Sequence, residues 1–397
     1  MSNHWDFHSA GQLVFGSGVI HEIGELTAKH GFGKVLIVTD KVLVDVGAVG
    51  SVKDSFKGAG VDVRVFDGGE PEPSIRTAES AVEEARSFQP DAVVGVGGGS
   101  NMDLAKCVAA IYAHGGTPED YFGFDNVPGP VLPIICVPTT AGTGSEVSHS
   151  AVLTDTEKEM KISMLSNFLR PLVAVVDPRL TLTCPTKVTA DSGIDALVHA
   201  IEAYTARDSS EMEESLGYKG RFPITDCLAA EAIQLIGGNL VTVFNEPGNL
   251  KARENMALAA TLAGMAFSNA GVAIVHALEY PMGGTLHCSH GAGNGLLLPY
   301  VMRFNLPHRA ETMARIALLL GHDVGGLSPE EGAIIAIEAV EDLRREIGIP
   351  LSIRDLGGRE DQLPGFAMKA HALDRLTGVN PRKVTLKDLE QILRDAF

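Results

Sequence analysis

Two stretches of this sequence bring metal-ligating side chains into register. Within DSGIDALVH, Asp191 to His199, the carboxylate of Asp195 and the imidazole of His199 stand four residues apart. On a helix that spacing puts them one above the other on the same face. About eighty residues later, VHALEYPMGGTLHCSHG supplies His276 at the end of a long apolar segment, and His290 after a Pro281, Gly283, Gly284 break that can turn the chain back. One carboxylate and three imidazoles with coordination positions left open suit a divalent transition metal such as Fe(II) or Zn(II), not calcium or magnesium. Such a centre acts as a Lewis acid toward an alcohol or carbonyl oxygen. The donor types accept iron and zinc alike.

The elements that must position these groups divide the chain in two. KVLIVTD (34–40), DVRVFD (62–67), DAVVGVGGGS (91–100), PVLPIICVPTT (130–140) and LVAVVDP (172–178) are short, branched apolar runs ending in turn residues, and amphipathic stretches such as TAESAVEEARSF (77–88) lie between them. This alternation predicts an α/β domain with a mainly parallel sheet wrapped by helices. From about Pro185 onward nearly every segment reads as helix, including DSGIDALVHAIEAY, ARENMALAATLAGMAF and PEEGAIIAIEAVEDLRREIG. The expected organisation is an α/β domain over 1–183 and an all-helical domain over 184–397.

Ligands of open parallel sheets bind beyond the carboxyl ends of the strands. There, Gly97, Gly98, Gly99 and Ser100 close DAVVGV and open the helix NMDLAKCVAAIYA. Such a turn lets backbone approach a pyrophosphate and offers helix N–H groups to it. A second polar turn, PTTAGTGSEVS (138–148), presents Thr139, Thr140, Thr143 and Ser145 as further phosphate or ribose donors. Two such loops on neighbouring strands point to a dinucleotide. Asp40, at the end of VLIVTD, either accepts both hydroxyls of an adenosine ribose and repels a 2′-phosphate, favouring NAD over NADP, or caps the following helix.

Composition narrows the partners. The net charge of −18 argues against nucleic acid and anionic membrane surfaces, which need clustered Lys and Arg. Five scattered cysteines without a CxxC pair indicate a reducing compartment, and MSNHWDFHSAGQ lacks the basic and apolar regions of a secretory signal, so a cytoplasmic protein is expected. Met256 to Leu278 carries no Asp, Glu, Lys or Arg and has the length of a bilayer span. Its Ala, Gly, Thr261, Ser268, Asn269 and His276 instead mark it as one buried core helix.

Together GGGSNMDLAK (97–106), PTTAGTGSEVS (138–148), DSGIDALVHAIEAY (191–204) and VHALEYPMGG with HCSHGAGNGLLLPYVMRFN (to 305) resemble, in order, the signature blocks of the iron-containing, group III alcohol dehydrogenases. The resemblance implies an N-terminal dinucleotide-binding α/β domain, a helical C-terminal domain, and a metal in the cleft between them. It implies metal ligation by Asp195, His199, His276 and His290. It also implies cofactor contacts from Asp40, Gly97 to Ser100, Asp103, Thr139, Thr140, Thr143 and Ser145, with Lys161 and Leu180 lining the same cleft and GEPEPS (69–74) beside the adenine side. Dimers or larger homo-oligomers are usual in the family.

Three positions depart from that pattern. Asn101 stands where the family usually has proline, and Tyr280 where it has a second histidine often assigned to proton relay. The third departure is a longer link, RDSSEMEESLGYKGRFP (207–223). Tyr280 and this insertion are similar to the hydroxyacid-oxoacid transhydrogenase branch. The function expected is therefore NAD-dependent, metal-dependent hydride transfer between a small primary alcohol or hydroxyacid and nicotinamide, with Tyr280, His287, a ribose hydroxyl or water carrying the proton. The alternatives are a transhydrogenase that retains its cofactor, or a lyase of the dehydroquinate synthase kind, which would require a basic phosphate pocket absent near 191–204 and 276–290. Lys219 and Arg221 are candidates to meet an anionic substrate group, or else solvated loop charges. His149 could line a substrate cavity or be structural, and His287 reads as a residue beside the metal centre or at the surface.

Overall fold

The computed structural model describes residues 4–155, 160–213 and 216–397. The chain divides into two compact units, His8–Cys184 and Pro185–Phe397, and the N-terminal segment ending at Phe7 belongs with the second. Trp5 stacks on Phe222 with ring centroids 4.6 Å apart, and Lys219 pairs with Asp6 at 3.1 Å. These contacts, which no periodicity could announce, join the N-terminal segment to the helical unit.

In the first unit the five expected strands make up five of the six strands of one parallel sheet. In chain order the strands are β1 (Gln12–Phe15), β2 (Lys34–Asp40), β3 (Asp62–Gly69), β4 (Ala92–Gly97), β5 (Gly123–Phe124), β6 (Ile134–Pro138), β7 (Ser150–Asp155), β8 (Met160–Leu165) and β9 (Val173–Val176). The large sheet runs β1-β9-β6-β4-β2-β3, and β5, β8 and β7 make a small separate sheet. Side chains of successive residues point to opposite faces: Leu36, Val38 and Val93 enter one core while Val35, Ile37 and Val94 enter the other. Burial on both faces is why these strands read as continuous apolar runs. Among the described residues β1 pairs only with β9 and is half exposed, and β7 and β8 pair antiparallel outside the large sheet, so neither stands out in the sequence.

The helices of this unit are α1 (Ile23–Lys29), α2 (Lys41–Asp45), α3 (Ala48–Gly58), α4 (Ile75–Phe88) and α5 (Gly99–His114). Strand β2 is followed by β3 on one side, and the chain then crosses to β4 on the other. The order reverses there, opening a crevice at the ends of β2 and β4.

The second unit is helical: α6 (Thr186–Thr205), α7 (Pro223–Asn245), α8 (Leu250–Ala270), α9 (Ile274–Leu286), α10 (His290–Leu319), α11 (Pro329–Glu346), α12 (Leu363–His371), α13 (Asp374–Val379) and α14 (Leu386–Asp395). By length and composition alone α7 could cross a membrane; it packs against α6 and α8, as a core helix would. The expectation of one helix over Met256–Leu278 is corrected: α8 ends at Ala270 and α9 starts at Ile274, bent by 104°. The cause is Gly271, whose φ of +108° suits glycine alone and whose missing Cβ would lie 2.9 Å from the Tyr218 ring. The bend turns His276 into the unit's interior.

Candidate metal centre and nucleotide loops

On α6, Asp195 and His199 share the face that their spacing requires. The ligand atoms of Asp195, His199 and His276 all lie within 4.8 Å of one another, and all three residues are buried. The His199 ring stacks on His276 at 4.8 Å and on Phe267 at 4.3 Å. His290, the first residue of α10, has its ring 5.3 Å from that of His276 and is 30% exposed where His276 is 2%. It therefore stands on the open side of the group.

Two carboxylates that spacing alone did not single out brace the imidazoles. Glu202 accepts from His276 Nδ1 at 2.6 Å and from the Ala273 and Val275 N–H groups at 2.9 and 2.8 Å, so it also caps the start of α9. Glu279, fully buried, accepts from His290 Nδ1. With Nδ1 protonated toward a carboxylate, each ring offers its Nε2 lone pair inward, the arrangement that orients histidines for metal. Glu202 lies three residues beyond His199, and Glu279 three beyond His276. Each carboxylate thus follows one of the candidate histidines along its helix and reaches across to brace another, Glu202 on His276 and Glu279 on His290.

Asn294, one turn after His290, directs Nδ2 at Asp195 Oδ1 (2.8 Å), His276 Nε2 (3.2 Å) and His290 Nε2 (3.2 Å). One amide carries two hydrogens for these three acceptors. Burial alone would raise the Asp195 carboxyl, but the neighbouring His199, His290 and His276 and the Asn294 amide hold it below its ordinary range. Convergent buried ligand atoms, braced from behind, fit a divalent cation. Gly291 lets α10 come this close, since a Cβ there would fall 1.9 Å from the Asp191 carbonyl.

Tyr280 is buried, with its ring 6.4 Å from His276 and 6.0 Å from His290. His287 is instead exposed, closing α9 in the left-handed conformation with φ +53°. His149 is buried, and its carbonyl accepts the Ser166 N–H at 3.1 Å. Arg221 is held by Asp226 at 2.6 Å with its guanidinium over Tyr204, and Lys219 by Asp6. The insertion's cations are thus engaged within the helical unit; residues 214 and 215 lie outside the described residues.

In the His8–Cys184 unit the expected cofactor residues gather at the strand ends. Gly97, with φ +146°, ends β4, and its carbonyl accepts the Thr139 N–H at 2.9 Å, tying the two polar turns together. A Cβ on Gly99 would meet Thr143 at 2.7 Å, whereas one on Gly98 would only touch Thr140 at 3.5 Å. Ser100 Oγ accepts the Glu72 N–H at 3.3 Å, and Glu72 pairs with buried Lys161 at 2.8 Å. Leu180 packs on the apolar core beneath.

Ser145 and Asp103 are turned toward each other at 2.6 Å, around Lys106, a fully buried lysine absent from the expected set. Lys106 Nζ donates to Ser145 Oγ (2.8 Å) and to the Ser150 (2.8 Å) and Ser148 (3.2 Å) carbonyls. Burial lowers its pKa, opposed by Asp103. Asp40 does cap α2, accepting the Leu43 N–H at 2.9 Å through Oδ1. Its other oxygen accepts from Asn101 Nδ2 at 2.7 Å.

Comparison with known proteins identifies both halves. Residues 10–178 match the iron-containing alcohol dehydrogenase domain, and residues 189–397 match the C-terminal domain of the Fe-containing alcohol dehydrogenase family. The chain is 37% identical to the NAD-dependent methanol dehydrogenase of Bacillus methanolicus, covering 97% of each chain. It is 41% identical to the 1,3-propanediol dehydrogenase of Citrobacter freundii, covering 96% of each. A solved structure of a 1,3-propanediol oxidoreductase superposes with a TM-score of 0.94 at 39% identity, over 100% of both chains. With both domain models matched in order and relatives aligned nearly end to end, the chain belongs to the iron-containing alcohol dehydrogenase family and is an oxidoreductase of that family.

Proposed function

We propose that this enzyme transfers hydride between a small primary alcohol or its aldehyde and NAD, with a divalent metal, iron in the first instance, on Asp195, His199, His276 and His290. The observation that carries this reading is the convergence of buried ligand atoms on α6 and α9, braced by Glu202. The metal would supply Lewis acidity toward the substrate oxygen. The chain's own residues do the rest. Glu202 and Glu279 hold the imidazole tautomers, and Tyr280 excludes water beside His276 and His290 and carries the proton through its hydroxyl. Gly97, Gly98 and the turn 138–148 receive the pyrophosphate, Asp40 the adenosine ribose. Asp103, Ser145 and Lys106 hold the two turns in place.

NAD is favoured by the methanol dehydrogenase relative and by the carboxylate at Asp40. A neutral alcohol is favoured over a hydroxyacid because Arg221 and Lys219 are already paired with Asp226 and Asp6. Five free thiols fit a reducing cytoplasm, and a homodimer or larger assembly follows the family habit.

The test is an assay of metal-reconstituted protein that follows NADH absorbance with short alcohols and aldehydes. A parallel mixture of 4-hydroxybutyrate and 2-oxoglutarate receives no added cofactor. Metal-dependent turnover of NADH that is lost in His276→Ala is expected. Product in the cofactor-free mixture with no NADH turnover would replace this reading by a transhydrogenase.

A further inference from the structure

The cofactor reading leaves Asn101 without a role, yet its side chain sits at the point where the strand order reverses. It lies in the first turn of α5 and is 3% exposed. One amide hydrogen goes to Asp40 Oδ2 at 2.7 Å and the other to the Val96 carbonyl at 3.2 Å, so it links the end of β2 to the end of β4. Two glycines make room for it. A Cβ on Gly97 would lie 2.2 Å from Asn101 Nδ2, and one on Gly69, at the end of β3, 2.4 Å from Oδ1. The amide is thus wedged among three adjacent strand ends with its donors aimed.

Asp40 is held from both sides as a result, by the Leu43 N–H on Oδ1 and by Asn101 on Oδ2. Each carboxylate oxygen has two acceptor directions. One on each remains for a vicinal diol, while both oxygens are prevented from swinging aside for an incoming phosphate. We infer that Asn101 is a positioning residue for cofactor selection: it locks the Asp40 carboxylate so that a ribose 2′,3′-diol is accepted and a 2′-phosphate is refused. This rests on the assignment of Asp40 to the ribose.

Fluorescence titration of the metal-loaded protein with NADH and with NADPH tests it in Asn101→Ala, Asn101→Ser and Asp40→Gly, with circular dichroism to verify folding. The expected result for Asn101→Ala is NADH binding weakened about tenfold with NADPH unchanged or tighter, the size of one hydrogen bond to a charged group. Asn101→Ser, too short to reach Asp40, should behave alike. Equal weakening of both nucleotides, or no change, would overturn the inference by reducing Asn101 to a structural wedge. If Asp40→Gly narrows the NADH preference while both Asn101 variants retain it, the positioning role alone fails. If Asp40→Gly also retains it, the ribose assignment fails with it.

Discussion

At the residue scale, the proposed metal ligands and their supports differ in what they should cost when changed. Removing a ligand, as in His276→Ala, should abolish stoichiometric metal binding. Glu202→Gln should instead weaken metal affinity about 10- to 100-fold, because His276 keeps its place but loses the carboxylate that fixes its tautomer. Competition titration with a chromophoric chelator separates the two, and equal affinities in Glu202→Gln and wild type would contradict the bracing role. Tyr280→Phe should lower kcat about a hundredfold with metal content unchanged if its hydroxyl carries the proton.

Acid sensitivity follows from the same neighbours. Asp195 has its carboxyl held down in the folded state. A group shifted this way contributes stability above its unfolded value and loses it only as pH falls through the lower folded one. Asp195 therefore stays ionised from about pH 7 to pH 5, and its protonation should cause no metal loss over that window. Retained iron measured against pH gives the release curve, and metal loss traced to protonation of Asp195 above about pH 5 would contradict this.

At the scale of elements, the sheet core and α6 were legible because their signals are periodic: runs buried on both faces, and a four-residue carboxylate–imidazole spacing. The bend between α8 and α9 was hidden because an Ala-rich apolar run continues through Gly271 without any change of polarity, and only the contact with Tyr218 reveals it. Gly271→Ala must strain a positive φ and displace that ring. A loss of about 2–4 kcal/mol in urea unfolding is expected, with His276 displaced and metal affinity reduced. Lys106 was equally hidden, being a lysine in a helix whose partners lie some forty residues away. Lys106→Met would leave the Ser148 and Ser150 carbonyls without their donor and should destabilise the α/β unit by about 3 kcal/mol, read by the same unfolding curve. The strands β1, β7 and β8 escaped for another reason: pairing, not composition, makes them strands.

At the scale of the whole molecule, a cation bound only by the folded helical unit stabilises it by mass action. The central claim is that Asp195, His199, His276 and His290 together hold that cation. X-ray absorption at the metal edge of iron-loaded protein, with metal content determined on the same sample, reads the donors directly. One metal per chain is predicted, with nitrogen and oxygen donors at about 2.0–2.2 Å, scattering from three imidazoles, and no bound metal in His276→Ala. Substoichiometric metal, a sulfur shell from one of the cysteines, or an unchanged spectrum in His276→Ala would contradict it.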